Sequence, residues 1–327
     1  MAGKAETVLI TGISGFVGSH LCEEFLRRGL KVKGLIPEGE DISNLAAAES
    51  EIRLLQGDLL DPAGLERIVE EAGADLIVHL AAESSPARSY LDPVISFEVN
   101  TLGTLHLLEA IRKAKRPRRF LLFTSAEVYG AADPAAMPLA ESAPLRPLNP
   151  YAASKAACHY LGQQYAAHHG LPLVEVRPFN MIGPRQGRGF VLPDFASQVA
   201  VIVSGRAEPR IHVGRLSDRR DFLDVRDAVR AIAELAERGS DGEVYHVCSG
   251  VATPVRRLLD LLLEAAGVEI EVVRDPARLR PTATPILLGS NTKLTEQTGW
   301  GPTITLEDTV RDALEYWLGK SSAGDNN

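Results

Sequence analysis

Short apolar runs alternate with segments of helical period through the first half of the chain. "ETVLITG" is a run that ends at glycine, and "FVGSHLCEEFLRRG" follows with apolar positions three and four apart and a closing glycine. "KVKGLI" and "IRLLQGD" read as further strands, "PAGLERIVEEAG" as a helix and "DLIVHLAA" as a strand. A long helix is expected around Val94–Lys115, then a strand at "RFLLFTS", a helix from Tyr151 and a strand at "PLVEVRPFN". Strands that are apolar throughout and separated by helices predict an α/β chain: a doubly wound parallel sheet, covered on both faces by right-handed crossovers.

After about Asn180 the rhythm breaks. Gly, Pro and Arg become frequent and the elements shorten to "RIHVG", "RDFLDV", "EVYHVCSG" and "VEIEVV". The expected division is a dinucleotide-binding domain over 1–180, with part of 215–250 returning to it, and a smaller C-terminal α/β substrate lobe over 181–320. The helix Val225–Arg238 is the segment expected to return to the core. Residues 321–327, "SSAGDNN" at the end, read as a disordered tail.

Composition changes this picture little. The 327 residues are ample for a buried core, and the net charge of -8 argues against nucleic acid as a partner. The basic run Arg112–Arg119 reads as a solvated helix end leading into a strand. Cys22, Cys158 and Cys248 form no C-x-x-C pair, which fits a reduced, cytoplasmic protein. The eight histidines show no ligand spacing, so no metal is expected, and no apolar run reaches membrane length. The start of the chain enters a strand without a leader pattern.

Candidate chemistry enters at two places. Gly12, Gly15 and Gly18 lie between the first strand and the first helix, where glycine lets the backbone approach a pyrophosphate and the helix N-terminus favours its charge. The adjoining Phe16 and Val17 belong to the same cradle. An acidic residue ending strand two would select NAD and a basic one NADP. Here Pro37 fits neither pattern and Glu38 comes one residue late, so the expectation leans to NADP with NAD possible. Asp58 and Leu59 end strand three near the adenine; the lesser alternative for Asp58 is a cap on the helix that starts at Pro62. Leu80, Ala81 and Ala82 end strand four. The second place is "NPYAASKAACHYLG", where Tyr151 and Lys155 share one face of a helix and can address one ligand.

Taken together, "TGISGFVG", "GDLLD", "HLAA", "VNTLGTLHLLEA", "FTSAEVYG", "YAASK", "RPFNMIGP" and "RRDFLDVRD" resemble the extended branch of the short-chain dehydrogenase/reductases, in family order across nearly the whole chain. The resemblance implies a Rossmann domain, a nucleotide-sugar substrate and a homodimer built through two helices. Within that branch, "AAESSPARSYLDP", "RPFNMIGPRQGRGFVLPDFASQV" and "LRPTATPILLGSNTKL" are similar to GDP-4-keto-6-deoxy-mannose reductases, relatives of the GDP-mannose 4,6-dehydratases. Their activity is reduction of a 4-keto-hexose on GDP, with a rhamnose-type product.

Such a reduction needs a hydride at carbon and a proton at oxygen. Tyr151 is the expected proton donor. An ammonium ~5 Å from it, at an effective dielectric of ~20, contributes about 3 kcal/mol toward phenolate, so Lys155 is expected to make the phenol unusually acidic. Lys155 is also expected to bond the nicotinamide ribose. Ser125 ends strand five and would polarise the ketone. Glu127 would serve elimination from the hexose, and it keeps a 4,6-dehydratase or 4-epimerase open as the alternative. A non-catalytic NADP-sensing regulator is a third reading, against which Ser125, Tyr151 and Lys155 together speak. For the substrate, the resemblance implies that Arg220 and Arg280 contact the diphosphate and that Asn180 and Val191 line the sugar nucleotide; Ser84 and Ser85 are candidates for the hexose pocket, with an ordinary loop as the equal alternative. Ala283 departs from the pattern, since similar chains often carry Glu there.

Overall fold

The computed structural model describes residues 5–115, 117–278 and 284–322. Its element order begins β1 (Thr7–Thr11), α1 (Phe16–Arg27), β2 (Lys31–Ile36), β3 (Arg53–Gln56), α2 (Pro62–Ala72) and β4 (Leu76–His79). Next come α3 (Pro86–Leu91), α4 (Pro93–Ser96), a π-helical stretch Phe97–Leu102, α5 (Gly103–Ala114), β5 (Arg119–Phe123), α6 (Pro150–His169) and β6 (Leu173–Pro178). The remainder is β7 (Asn180–Ile182), α7 (Val191–Val203), β8 (Arg210–Val213), β9 (Arg219–Asp224), α8 (Val225–Arg238), β10 (Val244–Val247), β11 (Ala252–Pro254), α9 (Val255–Ala266), β12 (Glu271–Arg274), β13 (Ile286–Leu287), α10 (Thr292–Thr298) and α11 (Leu306–Ser322).

Seven strands form one sheet in the order β10-β6-β5-β4-β1-β2-β3, with every neighbouring pair parallel. The apolar runs explain it. Val8, Leu9, Ile10, Leu76, Ile77, Val78, Leu121 and Leu122 are buried on alternating faces of the same strands. Each face packs a helical layer: α1 and α8 on one, α2 and α5 on the other. This is a Rossmann-type sheet, and strand order reverses between β1 and β4. The crevice beyond the carboxyl ends of those strands is where open α/β sheets take ligands.

The remaining strands form a small sheet in which β9 pairs with β7, β11 and β13, and a separate parallel pair β8–β12. Helices α7, α9 and α11 close a second apolar core over them, with Leu192, Phe195, Leu258, Leu262 and Trp317 buried. Asp221 of β9 is the tie between the two sheets. Its buried carboxylate accepts from Ser249 N (2.7 Å), Ser249 Oγ (2.6 Å) and Gly250 N (3.0 Å), just past β10, and from Gly289 N (3.4 Å), just past β13.

The long helix expected around Val94–Lys115 is one helical run, but it is not uniform. It widens into the π-helical turn, and this frees the carbonyl of Asn100 for Thr104 Oγ1 (2.5 Å) and Cys158 Sγ (3.1 Å). Four residues of the basic run are paired: Arg112 with Glu109, Lys113 with Glu66, Arg118 with Asp75 and Arg119 with Asp241. At the C-terminus α11 includes Ser321 and Ser322, the first two residues of the expected tail; 323–327 lie outside the described residues.

Candidate active site

A cleft of about 1420 Å3 runs from the switch point between β1 and β4 to the small sheet. At one end, the glycine-rich turn brings α1 onto β1. Gly12 sits at φ +72°, and a Cβ on it would stand 2.8 Å from Ala81 N. A Cβ on Gly18 would collide with Gly12 O and lie 2.7 Å from Ile13 Cα. Only glycine allows α1 to approach this closely, leaving its N-terminal amides facing the cleft. Gly15, Phe16, Val17, Asp58, Leu59, Leu80, Ala81 and Ala82 line the same end. The cradle therefore fits a pyrophosphate. Asp58 does not cap α2, whose N-cap residue is Asp61; its Oδ1 accepts from Leu60 N at 2.9 Å, and the residue stays exposed toward the cleft.

At the centre stand Ser125, Glu127, Tyr151 and Lys155. The helix carrying the last two is capped by Asn149, whose Oδ1 accepts from Ala152 N at 2.7 Å, with Pro150 in the first turn. The Ser125 hydroxyl acts on the Tyr151 phenol, pulling its pKa down, and accepts from Glu127 N at 3.2 Å. Lys155 is buried, and its Nζ donates to the Phe123 carbonyl at 3.0 Å. Burial pulls its ammonium below the ordinary lysine value. Glu127 Oε2 accepts from Asn149 Nδ2 at 3.2 Å.

The acidity of Tyr151 runs opposite to the sequence-based expectation. Burial pushes its phenol up to about 12; Ser125 works the other way, while the Glu127 and Glu83 carboxylates add to the rise. Lys155, whose Nζ donates to the Phe123 carbonyl, is not among the groups that shift the phenol. In this cleft the phenol is thus held protonated, the form a proton donor needs.

At the far end, Asn180, Val191 and Arg220 line the cleft. Arg220 is steadied by Arg219 O (2.9 Å) and by Asp218 (3.6 Å). Ser84 lines the cleft, but Ser85 does not: its hydroxyl caps α3, accepting from Arg88 N at 3.2 Å. Arg280 and Ala283 lie outside the described residues.

Several lining or supporting groups were not singled out from sequence. Asn100, buried in the π-turn, accepts from Glu83 N (2.8 Å) and donates to Glu83 O (3.1 Å) and Ser154 Oγ (2.9 Å), so it clamps the loop after β4 to α6. A polar residue on the buried side of a helical pattern was its signal. Beneath Ser125, Glu175 accepts from Thr124 Oγ1 (2.6 Å), His159 Nδ1 (2.6 Å) and Arg177 (2.6 Å), while Arg177 Nη1 donates to Tyr129 OH (2.7 Å). Burial opposes the Glu175 charge, yet His159 and Arg177 bring its carboxyl below the usual range. Two charges inside "PLVEVRPFN" were the visible hint. Arg215 and Arg278 add cations near Arg220, and Gln186, only 5% exposed, leaves its Oε1 without a partner among the described residues. Among the described residues no cluster of three His, Cys, Asp or Glu could hold a metal, and no helix is long and apolar enough to cross a membrane.

Comparison with known proteins agrees with this geometry. The family model for GDP-mannose 4,6 dehydratase matches residues 9–313. GDP-6-deoxy-D-mannose reductase of Pseudomonas aeruginosa is 37% identical over 316 residues, covering 95% of this chain and 97% of that protein. Among solved structures, RMD from Pseudomonas aeruginosa complexed with NADPH superposes with a TM-score of 0.84 at 34% identity, covering 96% of this chain and 99% of that one. The UDP-glucose 4-epimerase of Thermus thermophilus in complex with NAD gives 0.84 at 31% identity, again covering 96% and 99%. With its sheet, its glycine cradle and its Ser–Tyr–Lys centre, this chain belongs to the GDP-mannose 4,6-dehydratase family, in the extended branch of the short-chain dehydrogenase/reductases.

Proposed function

We propose that this chain reduces the 4-keto group of GDP-4-keto-6-deoxy-D-mannose with NAD(P)H, giving a GDP-linked 6-deoxyhexose of the rhamnose type. The similarity to GDP-6-deoxy-D-mannose reductase supports the substrate class. The observation that carries the chemistry is the convergence of Ser125, Tyr151 and Lys155 beside the glycine cradle, in one cleft. The nicotinamide supplies the hydride. Tyr151, held protonated, supplies the proton to the ketone oxygen while Ser125, linked to the same phenol, shares that oxygen. The phenolate left behind is stabilised by Ser125 and by Lys155 once the ammonium turns from the Phe123 carbonyl. The proton that Tyr151 gives to the ketone oxygen would be restored from solvent. Arg220, with Arg215 and Arg278 nearby, would hold the diphosphate by paired donors, and Asn180 the sugar side.

One observation favours a second reading. The Glu127 carboxylate reaches the same cleft, as a 4,6-dehydratase would require. Mixing the protein with NADH or NADPH and the 4-keto GDP-sugar, and separately with GDP-mannose alone, distinguishes the two. Loss of nicotinamide absorbance with the keto-sugar is expected. A keto-sugar formed from GDP-mannose without net cofactor use would replace the reductase by a dehydratase.

The working form is a homodimer through the face of the long helix and α6, where Val94, Phe97, Leu102 and Tyr160 are exposed. Three buried, unpaired cysteines fit a reducing compartment such as the cytoplasm.

A further inference from the structure

The adenosine-ribose end of the cleft presents a carboxylate where NADP would need a cation. β2 ends at Ile36, Pro37 runs along the cleft wall, and the chain then returns Glu40 to the glycine-rich turn. There Ser14 Oγ donates to Glu40 Oε1 at 3.1 Å. Asn44 Nδ2 donates to the Ser14 carbonyl, also at 3.1 Å, so the loop is tied to the phosphate cradle from two positions. Asp41 closes the turn between them by accepting from Ser43 N (2.8 Å) and Ser43 Oγ (2.9 Å). Among the described residues lining this end, which include Ser14, Leu35, Pro37, Glu40 and Asp58, there is no lysine or arginine. Lys320 acts on Asp41 and does not line the cleft.

A dinucleotide whose pyrophosphate rests on Gly12 and Gly15 places its adenosine ribose between that turn and the end of β2. A carboxylate in this position accepts from ribose hydroxyls and repels a phosphate on the 2′ oxygen. We infer that Glu40, braced by Ser14, makes this chain select NADH over NADPH. The selecting carboxylate arrives four residues after the strand, which is why inspection of the strand end alone left the choice open. The chain would then differ in cofactor from the similar reductase solved with NADPH.

The inference rests on reading the cleft as a nicotinamide dinucleotide site. Its test is calorimetric titration of the full chain with NADH and with NADPH, without sugar nucleotide, so that no turnover is needed. NADH is expected to bind about tenfold more tightly or better, the order of effect for like charges at contact range in a water-like dielectric. Glu40→Gln should bring the two affinities within about threefold, and Glu40→Lys should invert them. Ser14→Ala, which keeps the carboxylate but removes its brace, should lower the ratio while retaining NADH binding. Equal or tighter binding of NADPH by the unaltered protein overturns the inference, as does a ratio that Glu40→Gln leaves unchanged. Binding of neither dinucleotide would overturn the reading of the cleft itself.

Discussion

Tyr151 is 8% exposed and sits between a hydroxyl that would share its proton and two carboxylates that keep it there. With the phenol raised to about 12, the donor form is present throughout the neutral range and is lost only as pH rises through that value. In the reductive direction kcat/KM should therefore stay level, as far as this group decides it, between about pH 6 and pH 8, declining only in alkali. A decline centred near neutrality would mean that Lys155 and the bound nucleotide lower the phenol far more than the free cleft does. Tyr151→Phe removes the proton without removing the ring. Turnover should fall by about 10²–10⁴-fold while dinucleotide affinity, read by titration, changes little. Lys155 and Tyr151 were legible in the sequence as a pair on one helix face. Their electrostatics were not, because burial and the orientation of the ammonium toward Phe123 O depend on elements distant in sequence.

At the scale of elements, position is fixed by a few polar ties across apolar layers. Asp221 is the main one, since it receives four donors from the segments after β10 and β13. Burial raises its carboxyl from 3.8 to about 6 in spite of these bonds. A folded pKa above the unfolded one contributes stability that is complete below about pH 4 and lost as pH rises through about 6, a span worth about 3 kcal/mol. Asp221→Asn should abolish that pH dependence. It should also leave two of the four donors facing an amide N–H2, and so cost about 2 kcal/mol at pH 7. Denaturant melts of both proteins at pH 5 and pH 7 check it: the gap between them should widen at the lower pH. A constant gap would mean that Asp221 is ionised in both conditions. The alternation of strands and helices was readable because fully buried strands leave unbroken apolar runs. The π-turn at Asn100 and the cap role of Ser85 were not readable, since each depends on which neighbour claims the side chain.

For the whole molecule, the cleft exists because one chain builds two cores and lays them edge to edge. The glycine cradle belongs to the parallel sheet and Arg220 to the small sheet, while α6 brings Tyr151 and Lys155 to the same cleft. The sequence pattern carried the cradle and the catalytic pair, because local spacing encodes them. It did not carry Arg215, Arg278 or Glu40, which reach the cleft from loops whose paths follow no period. The opposite side of the Tyr151 helix is where the proposed dimer would form. Tyr160 on α6 is 63% exposed, and beside it the long helix exposes Val94 (62%) and Phe97 (43%). Neighbouring helices with apolar side chains in water bury them against a matching pair, and a two-fold axis supplies that pair from an identical chain. Sedimentation velocity should accordingly give a species of twice 35.3 kDa. Replacing Phe97→Glu and Tyr160→Glu together places like charges opposite each other across the axis and should return the monomer. Because both residues point away from the cleft lining, dinucleotide affinity should survive the change. A wild-type chain that sediments as a monomer at micromolar concentration would leave this apolar face without the partner assigned to it.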